Sequence, residues 1–102
     1  MNELDKLKWL LDQKGIPYVS DKNHFFPNVV IFSKRGRRLC DAIIPPDSDG
    51  SFLEIAGALT LDEMIEEYPV LTGLTAEEVL ERFKYCYKHS TKVYEHLDTI
   101  KK

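Results

Sequence analysis

Cysteine is scarce: of 102 residues, two are cysteine, Cys40 and Cys86. Two lone cysteines form no disulfide framework of the kind secreted mini-domains need, which points to a reducing, intracellular compartment. Both lie among apolar neighbours and read as core thiols, because free cysteine behaves as a small hydrophobe. Long apolar runs are missing too. Nothing approaches the roughly 20 residues of a membrane span, so no membrane partner is expected. Residues 1–10 alternate charged and apolar side chains, unlike a secretory leader. The five glycines are scattered singly, which leaves no Gly-rich phosphate loop. Repeats and low-complexity tracts are absent. So is positive charge over 43 consecutive residues, 39–81.

What is present suits one packed domain over residues 1–102. Apolar residues make up 43% and aromatics 11%, too much for a disordered chain. Half of this length would be too small for a stable core.

Asn2 offers an N-cap with Glu3 and Asp5 in the first turn, and Leu4, Leu7, Leu10 and Leu11 recur at helical spacing. Gly15 and Pro17 end that helix, which the pattern places over residues 3–14. Strands are expected over 29–33 and 38–44, with Gly36 supplying the hairpin turn, and over 52–56 after the turn chemistry of Asp47-Ser48-Asp49-Gly50-Ser51. Thr60 with Glu63, and Thr75 with Glu78, repeat one capping box. The first of these helices is short because Pro69 stops it. The second is expected over 75–100. The fold class is therefore α+β: a three-stranded antiparallel meander with an N-terminal helix, a short helix and a long C-terminal helix.

Charge is unevenly distributed. Residues 1–38 carry +4, residues 39–81 carry −11 and residues 82–102 carry +4. Asp62, Glu63, Glu66, Glu67, Glu77, Glu78 and Glu81 should create a strong negative field near two helix starts. Acids at helix N-termini also suit the helix dipole and solvated faces. Read functionally, they form a docking surface for a basic protein partner. The opposite pole is the hairpin tip, Lys34, Arg35, Arg37 and Arg38, which suits weak contact with nucleic-acid phosphates. The net charge of −3 opposes such contact, and charged tips also guard sheets against edge pairing.

Catalytic and metal chemistry find little support. Of the three histidines, His24, His89 and His96, the last two stand seven apart on the expected helix, about 10 Å, too far to share one ion. No Gly-x-Ser-x-Gly elbow occurs. Asp41 on one strand and Glu54 on the next resemble the paired carboxylates of restriction-endonuclease-like nucleases. In that pattern Glu-x-Lys supplies a lysine two residues on, and Ala56 stands there instead. That departure argues against hydrolase activity, and no cofactor or metal is expected.

The long helix carries a heptad stripe centred on Phe83, Ser90 and Leu97, flanked by Val93, Tyr94 and Ile100. Twenty-six residues would reach about 39 Å, longer than the roughly 33 Å across such a domain. Its distal half is expected to overhang the core and to pair in a homodimer.

Three stretches, Arg38-Leu39-Cys40-Asp41-Ala42-Ile43, Leu53-Glu54-Ile55-Ala56-Gly57 and Gly73-Leu74-Thr75-Ala76-Glu77-Glu78-Val79, resemble small proteins of phages, prophages and mobile elements of gut Firmicutes. The resemblance spans roughly residues 38–80. It implies a bacterial cytoplasmic setting, no assigned activity, and an accessory protein that binds a host factor such as a defence component. The functional expectation is protein–protein binding through the acidic surface, with inhibition of that factor as its effect. Nucleic-acid contact through the Arg-rich hairpin, on a degenerate nuclease-like scaffold, is the alternative.

Overall fold

Asn2 does cap the first helix. Its backbone is extended, and its Oδ1 accepts from the Asp5 N–H at 2.8 Å. The helix, α1, runs Glu3–Lys14, and Gly15 closes it in the left-handed conformation with φ 67°. Leu4, Leu7 and Leu11 form its buried stripe. The structure is a computed structural model that describes residues 1–23, 25–36, 38–56 and 70–89.

Five strands follow where three are expected: β1 (Tyr18–Val19), β2 (Asn28–Phe32), β3 (Arg38–Ile43), β4 (Leu53–Ala56) and β5 (Val70–Leu74). They make one antiparallel sheet in the order β1-β2-β3-β4-β5. The meander reading holds for its centre, and both edges are additions. β1 has two residues, too few for any alternation to show in sequence. β5 holds Leu74, which the capping pattern assigns to a helix entry, and Gly73, whose φ of 74° breaks the strand pattern. That glycine lies in the register shift between the Leu53–Leu74 and Ile55–Leu71 pairs, where a bulge requires positive φ.

One face of the sheet carries both helices. Val29, Ile31, Cys40, Ala42, Leu53 and Ile55 pack there against Leu7, Leu11, Val79 and Phe83. The second helix, α2, spans Ala76–Lys88, with Thr75 and Glu78 completing the expected capping box. It does not continue to residue 100 as one helix. His89 caps it with φ −111° and ψ 32°, outside helical values, so α2 has 13 residues and spans about 20 Å. The sequence gives a reason in His89-Ser90-Thr91, three poor helix formers in succession. At this length α2 fits the sheet it covers, and the expected overhang is absent from the described residues. The Thr60-capped helix and residues 90–102 lie outside the described residues.

The two helices begin at the same end of the molecule. The Glu3 carboxylate accepts from the Ala76 N–H at 2.9 Å, and Lys6 forms an ion pair with Glu77. The turn between β3 and β4 joins them there, because the Glu3 N–H donates to the Gly50 carbonyl at 2.9 Å. Gly50 packs so closely that a Cβ on it would lie 2.8 Å from that of Asn2.

Candidate functional site

This shared end gathers acids from three separate stretches. Glu3 and Asp5 lie in the first turn of α1, Asp47 and Asp49 in the β3–β4 turn, and Glu77 and Glu78 in the first turn of α2. Two helix N-termini, joined by the Glu3–Ala76 hydrogen bond and the Lys6–Glu77 ion pair, favour carboxylates at this end. Of the acids predicted from sequence, Glu77 and Glu78 belong to this end. Asp62, Glu63, Glu66 and Glu67 lie outside the described residues. Glu81 stands one turn further along α2, exposed, with Lys84 at 3.4 Å.

Several of these acids also do local structural work. The hydrogen bond from Lys6 holds the Glu77 carboxyl below the usual carboxylate range and raises Lys6 in return. Glu78 is lowered by the Thr75 N–H, which it accepts at 3.0 Å, and Asp49 by its hydrogen bonds from Ser51. Asp47 is exposed in the same turn. Glu3, Asp5, Asp47 and Asp49 are additions to the predicted surface. The sequence signal for Asp47 and Asp49 was the cation-free stretch that contains them.

From the loop before β2 projects an aromatic side chain that sequence reasoning passes over. Phe25 is 92% exposed. Its loop is held from below by Asn28, a buried polar residue at the start of β2. The Asn28 Oδ1 accepts from the Asp21 N–H at 2.8 Å, while its Nδ2 donates to the Asp21 and Phe26 carbonyls at 2.9 Å each. Phe26 meets Phe25 edge to face at 5.2 Å, and the Pro27 carbonyl accepts from the Ile44 N–H at 3.0 Å. Phe25, Phe26, Pro27, Leu4, Lys8 and Lys22 border an open depression of about 290 Å³. Leu4 and Ile44 tie this loop to the acidic end. The signal available in sequence was Phe25-Phe26-Pro27-Asn28, an apolar run too close to a proline for a strand interior.

The basic residues are arranged differently from the expectation. Gly36 makes the predicted turn with φ 82°, and its N–H donates to the Ser33 carbonyl at 2.9 Å. Lys34 and Arg35 are exposed there, with the Lys34 ammonium 5.9 Å from the Tyr87 ring centre on α2. Arg38 instead folds back along β3 to the Asp41 carboxylate at 3.1 Å. Arg37 lies outside the described residues. The tip is thus less free for phosphates than four adjacent cations suggest.

Asp41 and Glu54 share the face of the sheet opposite the one that α1 and α2 cover. Asp41 pairs with Ala56 and Ile43 with Glu54, so the two carboxylates stand on diagonal positions of adjacent strands. No lysine accompanies them at position 56. Among the described residues, no three His, Cys, Asp or Glu side chains group as a metal site.

At the proximal end of the expected self-association stripe, the core takes up the central residue. Phe83 is 0% exposed and packs in the protein's own core with Val79 and Cys86. A side chain so placed is unavailable to a second copy. Ser90, Val93, Tyr94, Leu97 and Ile100 lie outside the described residues.

No family model matches the chain, and comparison with curated proteins and with solved structures returns no match. No helix among the described residues is long and apolar enough to cross a membrane.

Proposed function

We propose that the protein acts by binding another protein, with the acidic end as its docking surface and Phe25 as the apolar anchor. The observation that carries this reading is the projection of a 92% exposed phenylalanine on a loop fixed by three Asn28 hydrogen bonds, a loop that Leu4 and Ile44 connect to an end bearing acids from three stretches of chain. Binding energy at interfaces concentrates in a few aromatic or arginine anchors, while rim charges set association rate and partner choice. A pre-ordered anchor loses little conformational freedom on binding. The partner that fits is basic, with an apolar recess near its cations. In biological terms, this is an accessory protein of a phage or mobile element that acts in the bacterial cytoplasm and restrains a host defence component.

The experiment is capture of partners from a Firmicute lysate, with and without nuclease treatment. Phe25→Ser and Asp47→Lys are tested beside the parent chain. A partner retained after nuclease treatment, lost with Phe25→Ser and bound more slowly by Asp47→Lys, supports the reading. Retention unchanged in both variants overturns it, and retention that disappears with nuclease favours nucleic-acid contact at Lys34 and Arg35.

A further inference from the structure

The core holds the two cysteines of the chain as a pair. Cys40 lies on β3 with its residue paired to Ile31, and Cys86 lies in the last turns of α2, two residues before the helix ends at Lys88. They are 4% and 0% exposed, belong to the same packed cluster, and are both free thiols. α2 packs directly on β3, and the two thiols hydrogen-bond to each other. No other contact between helix and sheet joins two groups able to form a covalent bond among the described residues.

We propose that Cys40 and Cys86 are a site of reversible oxidation, at which a peroxide closes an intramolecular disulfide that ties α2 to β3. Disulfide bonding requires the sulfurs to approach to about 2.05 Å. The movement falls to Cys86, because the end of a helix opens more readily than the middle of a sheet. Burial pushes the Cys40 thiol well above its ordinary value, so in the closed protein Cys40 stays a thiol and is inert. Opening of the last turn of α2 exposes Cys86 to solvent, where its thiolate forms.

That thiolate attacks one peroxide oxygen, the O–O bond breaks, and hydroxide leaves, giving a sulfenic acid on Cys86. The Cys40 sulfur, as thiolate after losing its proton to solvent or hydroxide, then attacks the sulfenic sulfur and displaces its hydroxide. In sum, two thiols and one hydrogen peroxide give one disulfide and two waters; the thiols lose two electrons and the peroxide gains them. A dithiol reductant reverses the closure. The new bond spans 45 intervening residues, including all of β4 and β5. Closing so long a loop restricts the unfolded chain strongly, so the oxidised protein should be the more stable form.

The test treats the full chain with hydrogen peroxide under native conditions, then denatures it and counts free thiols by maleimide mass-tagging. The expected product is a monomer on a non-reducing gel, with no tagged thiols and a higher urea midpoint, restored to the starting state by dithiothreitol. Slower closure at pH 6 than at pH 8 would accompany it. Cys40→Ala and Cys86→Ala, with Cys40→Ser and Cys86→Ser as second variants, should show no gain in midpoint. Two thiols still free after peroxide overturn the proposal. So does a disulfide between two chains, irreversible oxidation to sulfinic acid, or an oxidised monomer with a lower midpoint. None of these readouts depends on the docking role proposed for the acidic end.

Discussion

Replacing Asn28 by Ala should loosen the Phe25 loop and destabilise the whole domain. The side chain is 4% exposed and makes three hydrogen bonds, one accepted from Asp21 and two donated to Asp21 and Phe26. Each such bond contributes about 0.5–1.5 kcal/mol net. Loss of all three gives about 2–4 kcal/mol, and water reaching the half-buried partners lowers this to about 2–3 kcal/mol. With an m-value of about 1–2 kcal/mol/M, the urea midpoint should fall by roughly 1–3 M, as followed by far-UV circular dichroism. The loop itself gives an independent readout, since chymotrypsin should cut after Phe25 faster in the variant under native conditions. Asn28→Asp sharpens the comparison. It keeps the acceptor but points a carboxylate at two carbonyls, which raises the folded pKa of the introduced acid. A raised folded pKa means that its stability deficit is absent below the unfolded value of about 3.9 and grows as pH rises through the folded one. An unfolding free energy for Asn28→Ala within about 0.5 kcal/mol of the parent, with unchanged cleavage at Phe25, would refute the assignment of Asn28 as the loop's support.

Gly50→Ala should cost at least about 1–2 kcal/mol, because its φ of 100° and its approach to Asn2 both exclude a Cβ; thermal unfolding checks this. Glu77, Glu78 and Asp49 all have folded pKa values below their ordinary ones, so their contribution is present above about pH 4.5 and is lost as pH falls through the folded values. Glu78→Gln should therefore flatten the acid limb of a stability-against-pH curve, and an unaltered limb would deny its capping charge any role. Phe83→Ala should cost about 3–5 kcal/mol and leave the sedimentation of the folded chain unchanged. A folded variant that changes from dimer to monomer would return Phe83 to a self-association surface.

The elements whose signals are local were legible from the residues alone. Asn2 and Gly15 bounded α1, Thr75 with Glu78 started α2, and Gly36 set the hairpin between β2 and β3. Each is a short-range device in which one side chain or one backbone angle satisfies neighbouring groups, so it reads in any context. The cation-free stretch likewise disclosed an acidic region. What depends on distant partners came only with folding. β1 and β5 exist because β2 and β4 offer them edges to pair with, and two or five residues beside a proline or a glycine carry no periodic signature of that. Which acids form one end was set by Glu3 reaching Ala76 and Gly50, contacts 73 and 47 residues apart in sequence. The stripe on α2 looked available to a partner because periodicity shows that a face is apolar and not what covers it; here the sheet covers Phe83. Phe25 was hidden for the converse reason. Hydrophobic residues are expected inside, and only the fold, through Asn28 fixing the loop from beneath, turns this one outward to solvent.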